Sequence, residues 1–160
     1  MPEREIHTIP PFYKDNSRIL ILGSFPSVKS REQKFFYGHP QNRFWSVLAA
    51  VFEREIPQSI PDKKALLEAS CAAVWDVIAS CEITGSSDSS IRNAVPNDIS
   101  VILNNCPIEN IYVNGRTAEK LYNKYILQAV KRPAVCLPST SPANAAWTLP
   151  KLIEAWSVIR

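Results

Sequence analysis

The sequence predicts an α/β fold: a three-layer α/β/α domain around a central four-stranded parallel sheet. Short apolar runs rich in Val, Ile and aromatic residues stand at 18–22, 72–78, 109–113 and 134–137, each bounded by polar or turn residues, which is the pattern of buried strands. Helical periodicity fills the intervals between them. Strands alternating with helices imply right-handed crossovers and a parallel sheet covered on both faces.

Taken in order, Arg18 to Leu22 forms the first strand and leads into Gly23-Ser24-Phe25-Pro26-Ser27, a turn. Val28 to Lys34 is a basic loop. Asn42 is placed to cap a helix over the apolar run 43–52. A second helix spans Ile60 to Glu68, with Pro61 in its first turn. After the strand at 72–78, Asn97-Asp98 opens a segment with Ile99, Ile102 and Leu103 on one face. Gly115 begins a helix that aligns Ala118, Leu121, Tyr122 and Tyr125, and Thr148 caps a last one with the stripe Leu149, Leu152, Ile153, Trp156 and Ile159.

A chain of 160 residues, 46% apolar and 21% charged, fits one soluble domain over 1–160. A net charge of +3 permits an anionic partner without arguing for one. No apolar run reaches the length of a membrane helix, and the polar start Met1-Pro2-Glu3-Arg4-Glu5 is unlike a signal peptide. Cys71, Cys81, Cys106 and Cys136 are scattered without a Cys-x-x-Cys pair, and only His7 and His39 could supplement them. Reduced thiols, and with them a cytoplasmic location, are expected, and no metal. Gly-x-Gly-x-x-Gly and Gly-x-Ser-x-Gly are both absent, which argues against a dinucleotide cofactor and a serine hydrolase; no cofactor is expected.

The chemistry concentrates in the segments that follow the strands. Polar, proline-rich turns after buried parallel strands are where open α/β sheets build ligand crevices. Gly23 to Ser27 is one such turn, and Lys29 and Arg31 beside it could contact phosphates. Phe35-Phe36-Tyr37 offers both core and a ring able to stack on a flat heterocycle. His39 reads equally as a general base or a structural histidine. Asn42 could cap its helix or hold a water, accepting through oxygen and donating through nitrogen. Asp76 is costly to bury between Trp75 and Val77 unless paired, for instance with Arg92, or used to accept a ring N–H from a bound base. Asn114-Gly115 is a turn or an anion-binding helix entry. Leu137 to Ala145 is dense in Ser, Thr, Pro and Asn.

Together, Gly38-His39-Pro40-Gln41-Asn42-Arg43-Phe44-Trp45, Leu137-Pro138-Ser139-Thr140-Ser141-Pro142-Ala143-Asn144-Ala145 and Gly23-Ser24-Phe25-Pro26-Ser27 resemble motifs of the uracil-DNA glycosylase superfamily, and in particular its hypoxanthine (deoxyinosine) branch. The resemblance runs from about residue 18 to 160. It implies a uracil-DNA glycosylase-like fold and a monomer that acts on DNA containing deaminated bases. The implied reaction hydrolyses the N-glycosidic bond after the base is flipped, preferably releasing hypoxanthine and leaving an abasic site. Phe25 stands where the superfamily places a catalytic Asp or Asn, so the resemblance shifts the water-positioning role to Asn42. It assigns base contacts to Ser24, Phe25, Tyr37, His39, Asp76, Asn114, Ser139 and Ser141, and DNA contacts to Ser27, Lys29, Arg31, Thr140, Pro142, Ala143 and Asn144. Ala143 replaces the usual wedge leucine, which implies weak extrusion of well-paired bases. Without a catalytic lysine a Schiff-base route is not expected. Uracil or mismatched-thymine excision, and non-catalytic binding of damaged DNA or a nucleobase, are the competing readings.

Overall fold

Strands buried on both faces build the core of the computed structural model, which describes residues 3–160. Met1 and Pro2 of the polar start lie outside the described residues. β1 (Glu3–Ile6) precedes β2 (Ile19–Gly23), which is buried throughout. Then come α1 (Val28–Gln33), α2 (Phe44–Val51) and α3 (Ile60–Ala69), the last capped by Ser59 with Pro61 in its first turn. β3 (Ala72–Asp76) passes almost directly into β4 (Ile78–Ile83), followed by β5 (Arg92–Pro96) and α4 (Ser100–Leu103). β6 (Asn110–Asn114), α5 (Arg116–Tyr125), α6 (Leu127–Val130), β7 (Val135–Leu137) and α7 (Leu149–Trp156) complete the order.

The central sheet has the order β3-β2-β6-β7, all parallel. Because side chains alternate across a strand, β2 feeds two cores. Ile19 and Ile21 pack with Phe44, Leu48, Leu67, Leu152 and Trp156 from α2, α3 and α7. Leu20 and Leu22 pack on the other face with Ile102, Ala118 and Tyr122 from α4 and α5 and with Ile78, Cys81 and Ile83 of β4. The chain adds β3 on one side of β2 and then crosses to β6 on the other, so the strand order reverses at β2. The crevice opens beyond the carboxyl ends at that reversal.

The structure corrects three expectations. The apolar run 72–78 is not one strand: β3 ends at Asp76, and β4 pairs antiparallel with β1 and β5 in a second, three-stranded sheet. That sheet joins Glu3 to Ile83 across the chain, and its local partner β5 carries exposed residues and an irregular register, so no continuous apolar pattern announces it. The expected basic loop at 28–34 is α1, started by the Ser27 hydroxyl accepting from Ser30 N–H and ended by Lys34 in the left-handed region. Its buried side is a single serine, so no apolar stripe marks it. Between 97 and 103 only Ser100–Leu103 is helical, with the Asp98 carboxylate accepting from Ser100 N–H.

All four cysteines are free thiols. Among the described residues no helix is long and apolar enough to cross a membrane, and no cluster of His, Cys, Asp and Glu could hold a metal ion.

Leu20 is fully buried in the central strand. Leu20→Ala is expected to lower unfolding free energy by about 3 kcal/mol through lost burial and the cavity left behind, measured by urea denaturation.

Candidate active site

A cavity of about 270 Å³ lies where the ends of β2, β3 and β6 meet the segment after β7. Its lining brings together Ser24, Phe25, Ser27, Tyr37, His39, Asn42, Asp76, Asn114, Ser139, Thr140, Ser141, Pro142 and Ala143, which come from five separate stretches of sequence.

The inner end is built around Gly23. A Cβ here would stand 2.4 Å from Asp76 Oδ1 and 3.1 Å from the Tyr37 hydroxyl, so glycine lets both side chains close on the strand end. Asp76 is 4% exposed. Its partner is His7: the Nε2–H donates to Asp76 Oδ2 at 2.8 Å, because Nδ1 is already accepting from Ile9 N–H. Rings of Phe25, Phe36 and Trp75 enclose the imidazole. The expected pairing of Asp76 with Arg92 does not form; Arg92 bonds the Ser89 and Ile91 carbonyls instead. His7 lies 69 residues from Asp76, and no local motif could have linked them.

The cavity floor is Tyr37, stacked on Phe44 with ring centroids 4.0 Å apart and an interplanar angle of 16°. One ring face is thereby covered, and Tyr37 also lines the cavity. Tyr37 adopts φ 51°, and its carbonyl accepts from Trp45 Nε1. Its buried hydroxyl has no hydrogen-bond partner among the described residues. Burial pushes the phenol pKa far above its ordinary value, and the Asp76 charge pushes it further. The Asn114 amide is near enough to moderate that rise without reaching hydrogen-bond geometry. Phe35 and Phe36 enter the core. Gly38 N–H donates to Ser30 Oγ, locking the approach to His39. His39 Nδ1 accepts from Gln41 N–H, so a neutral ring carries its proton on Nε2.

Asn42 sits in a network whose directions are set by backbone donors. Its Oδ1 accepts from Phe44 N–H at 2.9 Å and from the Thr140 hydroxyl at 2.8 Å. Thr140 N–H donates to Asn114 Oδ1, and the Asn114 Nδ2 donates back to Thr140 Oγ1. Both sites on the Asn42 oxygen are therefore taken. The expectation that Asn42 would hold a water by both accepting and donating is corrected: only its Nδ2–H groups remain to be offered. Thr140 is also corrected. It is 0% exposed and spends its hydroxyl on Asn42, so it positions other groups instead of touching DNA.

Arg43, part of the Gly38–Trp45 motif but given no role there, clamps the opposite wall. Its backbone N–H donates to Thr140 O, and its guanidinium donates to the Ser141, Asn144 and Trp147 carbonyls. Ser139 and Ser141 accept from Ser141 N–H and Ala143 N–H, which leaves each hydroxyl proton free to donate. The Asn144 side chain donates to Ser139 O, which fixes the loop from within. Pro142 and Ala143 stand at the mouth. Ser24, buried, donates to Asp88 Oδ1 at 2.7 Å. Ser27 is committed to capping α1.

Of the two basic residues assigned to phosphate, Lys29 is exposed beside Glu32, whereas Arg31 is engaged inward. Arg31 bonds Gly85 O and Glu5 and lies over the Phe25 ring. These contacts commit its guanidinium to the protein and not to the phosphate contact expected of it.

Residues 10–160 match the family model described as the uracil DNA glycosylase superfamily. A hypoxanthine DNA glycosylase of Methanosarcina barkeri is 31% identical over 138 residues, 84% of this chain and 85% of that one. A hypoxanthine DNA glycosylase of Methanosarcina acetivorans is 31% identical over 153 residues, 94% of this chain and 96% of that one. The fold is also similar to the solution NMR structure of a candidate uracil DNA glycosylase from Methanosarcina acetivorans. That match has a TM-score of 0.80 and 30% identity, covering 95% of this chain and 94% of the other.

Thr140→Val keeps the side-chain shape but leaves Asn42 and Asn114 short of a partner. A loss of about 1–3 kcal/mol is expected. Tyr37→Phe, which removes a hydroxyl with no bond to lose, is expected to leave stability unchanged or raise it by up to about 1 kcal/mol. Denaturant unfolding of the two variants beside the wild type tests the contrast.

Proposed function

The chain belongs to the uracil DNA glycosylase superfamily, and from that premise we propose that it is a monofunctional DNA glycosylase releasing deaminated bases, with hypoxanthine preferred. A DNA substrate and glycosylase activity follow from the family. The choice of base rests on one observation: a deep carboxylate, Asp76, lies at the inner end of a nucleobase-sized cavity floored by an aromatic ring.

A base flipped into the cavity stacks on the free face of Tyr37. His7 occupies Asp76 Oδ2, and Oδ1 remains beside Gly23 at the cavity end. A carboxylate there accepts the N1–H of hypoxanthine. Adenine would set its N1 acceptor against the same oxygen, and an unmet buried pair of this kind discriminates strongly. Uracil also carries an N–H between carbonyls and satisfies the same contact, so its exclusion would have to come from the fit of the smaller ring.

Breaking the glycosidic bond leaves positive charge on the sugar and negative charge on the departing base. The hydroxyl protons of Ser139 and Ser141 are free to donate toward that base, and fixed donors aimed at developing charge are an effective source of acceleration. Asn42 restrains the attacking water by donating from Nδ2. No lysine lines the cavity among the described residues, which supports direct hydrolysis to an abasic site over a Schiff-base route. Monomeric action and contacts of Lys29, Pro142, Ala143 and Asn144 with the DNA strand belong to the same proposal.

Incubation with an oligonucleotide holding one deoxyinosine should produce strand scission only after alkali. Scission only from deoxyuridine or mismatched thymidine would transfer the activity to those bases, and binding without base release would make the protein a non-catalytic module. Asn42→Ala should slow single-turnover release by roughly 100-fold. Asp76→Ala should cut the preference for hypoxanthine over adenine by at least about tenfold, the equivalent of roughly 1.4 kcal/mol; retained selectivity would remove Asp76 from base reading.

A further inference from the structure

Two carboxylates face the crevice, and the cavities place them at different depths. Asp76 lines the inner cavity alone. Asp88, on the 3-10 turn Asp88–Ser90, lines both that cavity and an adjoining outer cleft that runs past Gly115–Thr117 and Asn144 to Trp147. Ser139, Ser141 and Ala143 are likewise shared. These common residues form the neck between the two spaces. A nucleotide with its base inside and its backbone outside must pass its glycosidic bond through that neck.

Water that attacks C1′ must shed a proton, a group placed to take it speeds the step, and the other candidates in the cavity are unavailable. The oxygen of Asn42 is filled by two donors. Phe25 has no acceptor, and His39 uses Nδ1 on Gln41 N–H. Asp76 lies at the far, inner end. Asp88 is solvent-exposed as a residue, yet its carboxylate turns onto the buried Ser24, whose hydroxyl occupies Oδ1 alone. Among the described hydrogen bonds none uses Oδ2.

Resting on the glycosylase reading above, we propose that Asp88 is the general base of this site, accepting a proton from the water that Asn42 restrains. The C1′–N bond breaks with its electron pair leaving on the base, and the water oxygen forms the new C1′–O bond. One water proton passes to Asp88 Oδ2 and from there to solvent, and the departed base takes a proton from solvent. Burial raises the Asp88 pKa, the Ser24 hydroxyl lowers it, and the charge of Asp76 raises it again, for a net rise. A base with a raised pKa holds a transferred proton better near neutral pH. The other titratable groups around it are Tyr37 at the cavity floor, Cys81 of β4, and Arg116 and Glu119 across the outer cleft.

The test is single-turnover release of hypoxanthine by the full chain across pH from about 4 to 8, with oligonucleotide affinity measured beside it. Asp88→Asn keeps an acceptor for Ser24 but cannot take a proton. It should slow release by roughly 10²- to 10⁴-fold with unchanged affinity, and abolish the acid limb of the rate profile. Ser24→Ala removes the bond that lowers the Asp88 pKa. The base then protonates at higher pH as the solution is acidified, so the acid limb should move upward. Release by Asp88→Asn within about threefold of wild type, or slowed release with the acid limb in place, overturns the assignment while leaving the glycosylase reading intact. A wild-type protein that binds the oligonucleotide and frees no base overturns both.

Discussion

One buried hydroxyl holds the candidate site together. Thr140 donates to Asn42, accepts from Asn114 and sends its own N–H to the Asn114 oxygen, while its carbonyl accepts from Arg43 N–H. Three segments that are distant in sequence are thereby tied at the ends of the sheet. The network has one consistent direction, because Phe44 N–H and Thr140 N–H can only donate and so dictate which end of each amide faces them. Inside a protein a partly satisfied network is costly, which favours this single arrangement.

That constraint decides what the other residues can do. An asparagine with its oxygen filled presents only donors, so the roles of accepting a base N–H and accepting a proton fall to carboxylates. The fold supplies two, separated by depth and by partner. Asp76 is enclosed and paired with the His7 imidazole, whereas Asp88 stands at the rim on a serine. Arg43 gives the outer wall its shape by gathering three carbonyls, so the loop that carries Ser139 and Ser141 does not depend on its own turns alone. Aromatic packing does the same for the floor, where Tyr37 is held by Phe44 and Trp45.

Much of this was legible in the chain itself. The four parallel strands carry continuous apolar runs, the helices at Ile60 and Leu149 a proline in the first turn and a hydroxyl cap, and the helix after Gly115 an apolar face that includes the buried Ala118 and Tyr122. The motifs around Gly23, Asn42 and Ser139 located the crevice because turns after parallel strands converge at one edge. The antiparallel sheet, α1 and the His7–Asp76 pair were not legible. The pairing of β1 with β4 and the His7–Asp76 pair depend on residues brought together from far apart, β5 is a largely exposed strand, and α1 is a helix whose buried face is a lone serine.

The sequence by itself determined the fold class, the edge of the sheet where chemistry gathers and the side chains available there. Those follow from local periodicity and turn chemistry, which act over a few residues. Only the tertiary structure decided which atoms remain free: the filled oxygen of Asn42, the buried Thr140 and the inward-facing Arg31 all reverse roles their residue types allow. A hydrogen-bonding side chain has a limited number of sites, and whether they face a ligand or another part of the chain depends on neighbours that sequence proximity does not reveal.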